Sequence, residues 1–203
     1  MIRGLYYKGE KQQRYLTIDE IATACRISPR KVKGWVSQKF LHPAAVGENL
    51  VAEDDVLTFL LQNNMPVVSS LLPPNTGKIL FITCSRVELR DKEEYFDHIC
   101  NLFAENYNLV LAESTILGRP CHLSILTFEP DVVVIFQKSF NKDLVETLDF
   151  LSTMPALKSI LIVDEATKLA VDNGLLCLSA ALIVSENLPH NQLTEKLSLI
   201  FTS

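Results

Sequence analysis

No apolar run in this 203-residue sequence approaches the roughly 20 residues that cross a bilayer, which sets aside a membrane-spanning helix. The opening stretch MIRGLYYKGEKQQRY has neither the apolar core nor the cleavage site of a signal peptide, so a cytoplasmic protein without a membrane partner is expected. Glycine is scarce, at seven residues, and no GxGxxG follows a strand; this argues against a dinucleotide site of the ordinary kind. The five cysteines (Cys25, Cys84, Cys100, Cys121, Cys177) are odd in number, widely spaced and free of any CxxC pair. They suggest neither a zinc knuckle nor a disulfide framework, and read as reduced thiols packed as small hydrophobes. The four histidines are as thinly scattered, and Cys121 beside His122 lacks the partners a metal site needs. No cofactor is expected. No base, nucleophile and orienting group share a spacing that would support an enzyme.

What is present is an apolar content of 48%, enough to bury a sizeable core or two small ones. The net charge of -5 is unevenly spread. Residues 1–46 hold nine Lys/Arg against three acids, a balance of +6, whereas residues 78–203 hold ten against seventeen, a balance of -7. That asymmetry is expected of a small anion-binding module joined to an acidic domain. Between them, residues 63–77 carry three prolines and several turn formers, and read as an interdomain connector. There is no internal repeat and no low-complexity tract.

Downstream of the connector, strand-length apolar runs alternate with helical patterns. The strands are expected at 78–83, 109–112, 132–136, 159–163 and 180–184. Between the first two, Leu89, Phe96, Ile99, Cys100 and Phe103 share one helical face, and Leu144, Val145, Leu148 and Leu151 repeat the pattern after the third strand. Near-continuous apolar strands separated by helices predict an α/β domain with a five-stranded parallel sheet covered on both faces.

Upstream, Thr17-Ile-Asp-Glu20 fits a capping box, followed by the apolar stripe Ile18, Ile21, Ala22 and Cys25. Ser28-Pro29 then offers an N-cap and a proline at the first helical position, so a second helix starts a few residues after the first ends. On this second helix Val32, Trp35 and Val36 face one way, with Trp35 read as core, while Arg30, Lys33, Gly34 and Ser37 face the other. Residues 40–52 read as two short strands about the turn Gly47-Glu-Asn49, and residues 53–61 as a helix with acids at its positive end.

The order helix, turn, helix, wing, helix over residues 16–61 resembles the excisionase-type, MerR-like winged helix-turn-helix family. The resemblance is carried by Leu16–Ala22, Ile27–Val32, Trp35-Val36, Val46-Gly47 and Asp55–Leu60. It implies that the second helix enters the major groove of double-stranded DNA, with Arg30, Lys31 and Lys33 in contact and Arg26, Ser28 and Ser37 nearby. The wing departs from the family, since Gly47-Glu-Asn-Leu lacks its usual arginine, and Glu48 should repel phosphate.

The C-terminal pattern resembles a response-regulator receiver, a flavodoxin-like fold. A working receiver clusters carboxylates at the ends of strands one and three, with a Thr or Ser after strand four and a Lys after strand five. Here those positions fall on Thr83 and Cys84, on Phe136, on Val163 or Asp164, and on Ser185 followed by Glu186. The resemblance therefore implies a pseudo-receiver, with Phe136 plugging the former acidic pocket. A small anion or a redox signal at Cys84, in the mouth formed by Thr83, Cys84, Ser85 and Arg86, is the chemistry left there.

The domain boundaries expected are an arm at 1–15 that frays, a winged module at 16–62, a connector at 63–77 and the receiver-like domain at 78–203. The expected function is a DNA-binding regulator, phosphorylation-independent and homodimeric through the receiver-like domain, or docking a regulatory protein partner there. The alternative is a protein-interaction adaptor that has lost DNA binding.

Overall fold

The structure, a computed structural model, describes residues 3–7, 14–63, 65, 67–137, 140–174, 178 and 180–201. The chain begins with a strand, β1 (Arg3–Tyr7), before entering the small module: β2 (Tyr15–Thr17), α1 (Ile18–Ala24), α2 (Pro29–Ser37), β3 (Pro43–Ala44), β4 (Gly47–Ala52) and α3 (Glu53–Gln62). The capping box forms as written: the Thr17 hydroxyl accepts from the Glu20 N–H at 3.1 Å, and the Glu20 carboxylate accepts from the Thr17 N–H at 2.7 Å. The Thr17 N–H, and next the Thr17 hydroxyl at 2.8 Å, bond the Glu20 carboxylate and hold it below its ordinary range. Strands β2, β4 and β3 make a three-stranded antiparallel sheet in that order. The hairpin turn falls on Ala45-Val46 rather than on Gly47-Glu-Asn49. Gly47 already pairs with Ala44 inside the sheet, which makes the wing short.

After a single 3-10 turn at Ser69–Leu71 come β5 (Thr76–Thr83), α4 (Arg86–Asp91), α5 (Glu93–Ala104), β6 (Leu109–Ile116) and α6 (Arg119–Phe128). The chain closes with β7 (Val132–Gln137), α7 (Lys142–Ser152), β8 (Lys158–Val163), α8 (Glu165–Asp172), β9 (Leu182–Ser185) and α9 (His190–Phe201). The sheet order is β1-β6-β5-β7-β8-β9, and the last five are parallel, as the apolar runs predicted. Pleat alternation divides them. Ile79, Phe81, Val132, Val134, Phe136, Ile160 and Ile162 pack with side chains of α5 and α9, while Leu80, Ile82, Val133, Ile135, Leu161 and Val163 pack with side chains of α6 and α7. Leu193 and Leu197 are fully buried in the first layer, and Ile200 packs against it.

The sixth strand was not expected. β1 pairs antiparallel with β6 from Arg3↔Glu113 to Tyr7↔Leu109, so these five residues of the arm are ordered rather than frayed. Their alternation explains why. The Tyr6 hydroxyl donates to Asp97 on α5, while the Tyr7 hydroxyl donates to Asp54 on α3. Leu5 and Tyr7 pack on the core of the winged module, which also takes in Leu109 from β6. The connector is likewise not a loose tether among its described residues. Leu71 and Leu72 are buried in that same core, with Met65, Val67 and Val68 against it. Its apolar residues outweigh the prolines, because each buried aliphatic side chain contributes about 1.5–3 kcal/mol.

Candidate nucleic-acid interface and the mouth of the sheet

The turn between α1 and α2 is closed by backbone geometry. Arg26 sits in the left-handed region at φ 53°, its N–H bonding the Thr23 carbonyl at 3.2 Å and the Ile27 N–H the Ala22 carbonyl at 2.9 Å. This paired closure normally recruits glycine. The C-terminus of α2 repeats it, with Lys39 at φ 61° and bonds from Lys39 to Val36 and from Phe40 to Trp35. Each helix of the pair thus ends on a cation in a conformation that costs a side-chain-bearing residue about 1–2 kcal/mol.

Between these closures α2 presents the expected two sides. Val32 is fully buried, and Trp35 is half-buried, with its ring centroid 4.8 Å from that of Phe59 on α3. Arg30, Lys31, Lys33 and Ser37 are exposed, as are Arg26 and Ser28. Pro29 occupies the first turn, and Ser28 is the N-cap without a side-chain capping bond, which leaves its hydroxyl available to an incoming phosphate. The Ser37 hydroxyl instead donates to the Gly34 carbonyl at 3.0 Å. Among the described residues, no carboxylate lies within ion-pair distance of Arg26, Arg30, Lys31 or Lys33. Arg14, by contrast, is committed to Glu53 at 3.0 Å. The sheet domain meets the module through α3, β1 and the connector, and leaves the cationic side of α2 open. Lys39 belongs to this surface and was not singled out from the sequence, because no Gly or Asn marked the helix end. The Glu48 side chain lies outside the described residues.

At the other end, the C-terminal edges of β5 and β7 flank the point where the strand order reverses, the usual ligand position of such sheets. Thr83 is fully buried and its hydroxyl donates to the Ser85 carbonyl at 3.1 Å. The Cys84 N–H bonds the Glu88 carboxylate at 3.1 Å, and its thiol donates to the side-chain oxygen of Gln137. Burial, and next the Glu88 charge, push that thiol up to about 11, so it is protonated at neutral pH and poorly suited to redox sensing. Phe136 does not plug the mouth. Alternation turns it to the α5 side, where its ring meets Phe96 at 4.9 Å and Tyr95 at 5.5 Å, both edge-on. The group that reaches Cys84 is Gln137, one residue later and almost fully buried. Extending the period-two pattern by one residue would have found it.

The remaining positions are equally engaged. Asp164 caps α8, accepting from the Thr167 N–H at 2.7 Å, and these bonds with Thr167 hold its carboxyl below the usual range. The Ser185 hydroxyl donates to Glu165. Glu186, the residue after Ser185, is paired with Lys92 at 3.1 Å. No group of three or more His, Cys, Asp or Glu suited to a metal ion occurs among the described residues. The Arg86 side chain lies outside them. No described helix is long and apolar enough to cross a membrane.

Solved structures of similar shape include a Burkholderia pseudomallei protein named as pilus assembly-related (12% identical, TM-score 0.45), aligned over 62% of this chain and 90% of that one. Others are the signal receiver domain of a Luxo repressor protein from Vibrio parahaemolyticus (15%, 0.45, 63% and 91%) and a LuxR-family DNA-binding response regulator from Staphylococcus aureus (14%, 0.42, 62% and 98%). No curated protein matches the chain. Residues 15–64 match the family described as "Helix-turn-helix domain", and the N-terminal module is a domain of that family.

Proposed function

We propose that the chain is a DNA-binding regulator whose receiver-like domain works without phosphorylation and joins two copies of the chain. One observation carries this reading: the outer side of α2 offers Arg30, Lys31 and Lys33, exposed and unmatched by any described carboxylate, at the N-terminal end of the second helix of a helix-turn-helix pair. Cations so placed reach phosphates and base edges in a major groove. The short wing limits what one module contributes, so two modules held together would gain affinity through effective concentration. A surface fit for that pairing is α8 with β9 and α9, since α8 has no buried residue and Leu169 on it is 59% exposed. The interlocked groups at the sheet mouth support independence from phosphoryl transfer, because the Cys84, Asp164 and Ser185 side chains each already have an internal partner. Selection of bound fragments from random duplex DNA tests the reading and gives half-site spacing. Recovery of no enriched sequence, together with a monomer by sedimentation, would sink it.

A second reading, an adaptor that binds protein through the same module, draws on Phe40 and Val46. They are 57% and 65% exposed at the end of α2 and the tip of the wing. A pulldown partner lost on Phe40→Ser, alongside absent DNA binding, would favour it.

A further inference from the structure

A cleft of about 810 Å3 opens where the winged module meets the sheet domain, and each of its two walls carries charge of both signs. Asp19 and Arg26 stand on the helix-turn-helix wall beside Arg14 and Glu20, which are already engaged by Glu53 and Thr17; Lys78 and Glu129 stand on the sheet wall, and the connector adds Val67 and Val68. None of Asp19, Arg26, Lys78 and Glu129 forms an ion pair with a described residue. The sheet wall is braced: the Lys78 N–H donates to the Asp131 carboxylate and the Asp131 N–H to the Lys78 carbonyl, both at 2.8 Å, and the Lys78 ammonium donates to the Phe128 carbonyl at 3.1 Å. Two of its three donors are still free for a ligand. Arg26 and Glu129, on opposite walls, are both non-glycine residues in the left-handed region, at φ 53° and 51°.

We propose that this cleft binds a short zwitterionic peptide with aliphatic side chains, its carboxylate between Arg26 and Lys78 and its ammonium between Asp19 and Glu129. The volume lies within the roughly 300–1,000 Å3 of small-molecule sites and exceeds what one amino acid fills. The apolar part of the ligand rests on the half-buried Val67 and Val68. A molecule gripped by both walls fixes the module against the sheet domain. It also occupies Arg26, so it competes with a DNA phosphate; only this last step rests on the DNA-binding reading.

Calorimetric titration of the full chain with L-leucyl-L-leucine is the test. Expected is saturable one-to-one binding with a Kd of about 1 mM or tighter, at least about tenfold weaker for N-acetyl-leucyl-leucinamide, which lacks both charges. Glu129→Asn removes a charge while keeping a residue that accepts the left-handed conformation. It should weaken the dipeptide about tenfold without lowering the melting temperature. Absence of heat beyond dilution, equal binding of the blocked peptide, or unchanged affinity in Glu129→Asn would overturn the site. In a separate arm, saturating dipeptide should lower wild-type DNA affinity by no more than Arg26→Ala does. Unchanged DNA affinity at saturation would overturn the competition, and a chain that binds no duplex would leave the calorimetric result standing.

Discussion

The Arg14 guanidinium lies 3.0 Å from the Glu53 carboxylate, and the Glu53 N–H bonds the Arg14 carbonyl at 2.9 Å, so the start of α3 is tied to the entry of β2 through both side chain and backbone. Glu53 is only 7% exposed, and burial pushes its carboxyl up despite the neighbouring cation. Because its folded pKa is raised, Glu53 favours folding only when protonated, and its ionised form at neutral pH relies on Arg14. Arg14→Ala should therefore cost about 1–2 kcal/mol at neutral pH, a value kept small because Arg14 is half exposed. As pH falls through the raised pKa the cost should shrink, vanishing below the ordinary carboxyl value of about 4.3. Urea melts at several pH values check this, and a pH-independent cost contradicts it.

Arg26 and Lys39 hold positions where glycine is free of steric cost. Arg26→Gly and Lys39→Gly should each raise stability by up to about 1 kcal/mol, the left-handed penalty less the added freedom of the unfolded chain. Arg26→Gly should at the same time weaken DNA binding, which separates fold from function at one residue. A lower melting temperature in both variants would contradict the closure geometry.

The capping box, the Ser28-Pro29 start of α2 and the five parallel strands were legible because each rests on local chemistry or on a period of a few residues. β1 was not. RGLYY is five residues long, and its reasons for ordering, Asp97 on α5 and Asp54 on α3, lie 91 and 47 residues away. The connector misled in the same way: its prolines are local signals, whereas the core that takes up Leu71 and Leu72 is assembled from distant segments. At the site, the exposed cations of α2 followed from helical spacing. Gln137 escaped because the apolar run ends at Phe136.

β1 binds both domains, so its removal should loosen both. Tyr7→Phe should cost about 1–2 kcal/mol through loss of the bond to Asp54. Leu5→Asp should cost more, because it places an unpaired charge against the winged core. One shared, earlier unfolding transition is expected by circular dichroism and tryptophan fluorescence. Unchanged midpoints would show that the strand is dispensable.

At the sheet mouth, acetyl phosphate with magnesium should leave the intact mass unchanged. The Cys84 thiol should alkylate slowly at neutral pH, the rate climbing through about pH 11. A plateau near the ordinary thiol pKa of about 8.5, followed by peptide mapping, would show that Gln137 and Glu88 do not control it.

The most direct measurement is fluorescence anisotropy of labelled duplex DNA titrated with the full chain at about 50 and 200 mM salt, beside Arg30→Ala/Lys33→Ala. Predicted is binding that weakens with salt, is largely lost in the double variant, and shows a salt slope about one unit shallower for each phosphate contact removed. No attraction to duplex at the lower salt, or equal binding by the double variant, would contradict the account.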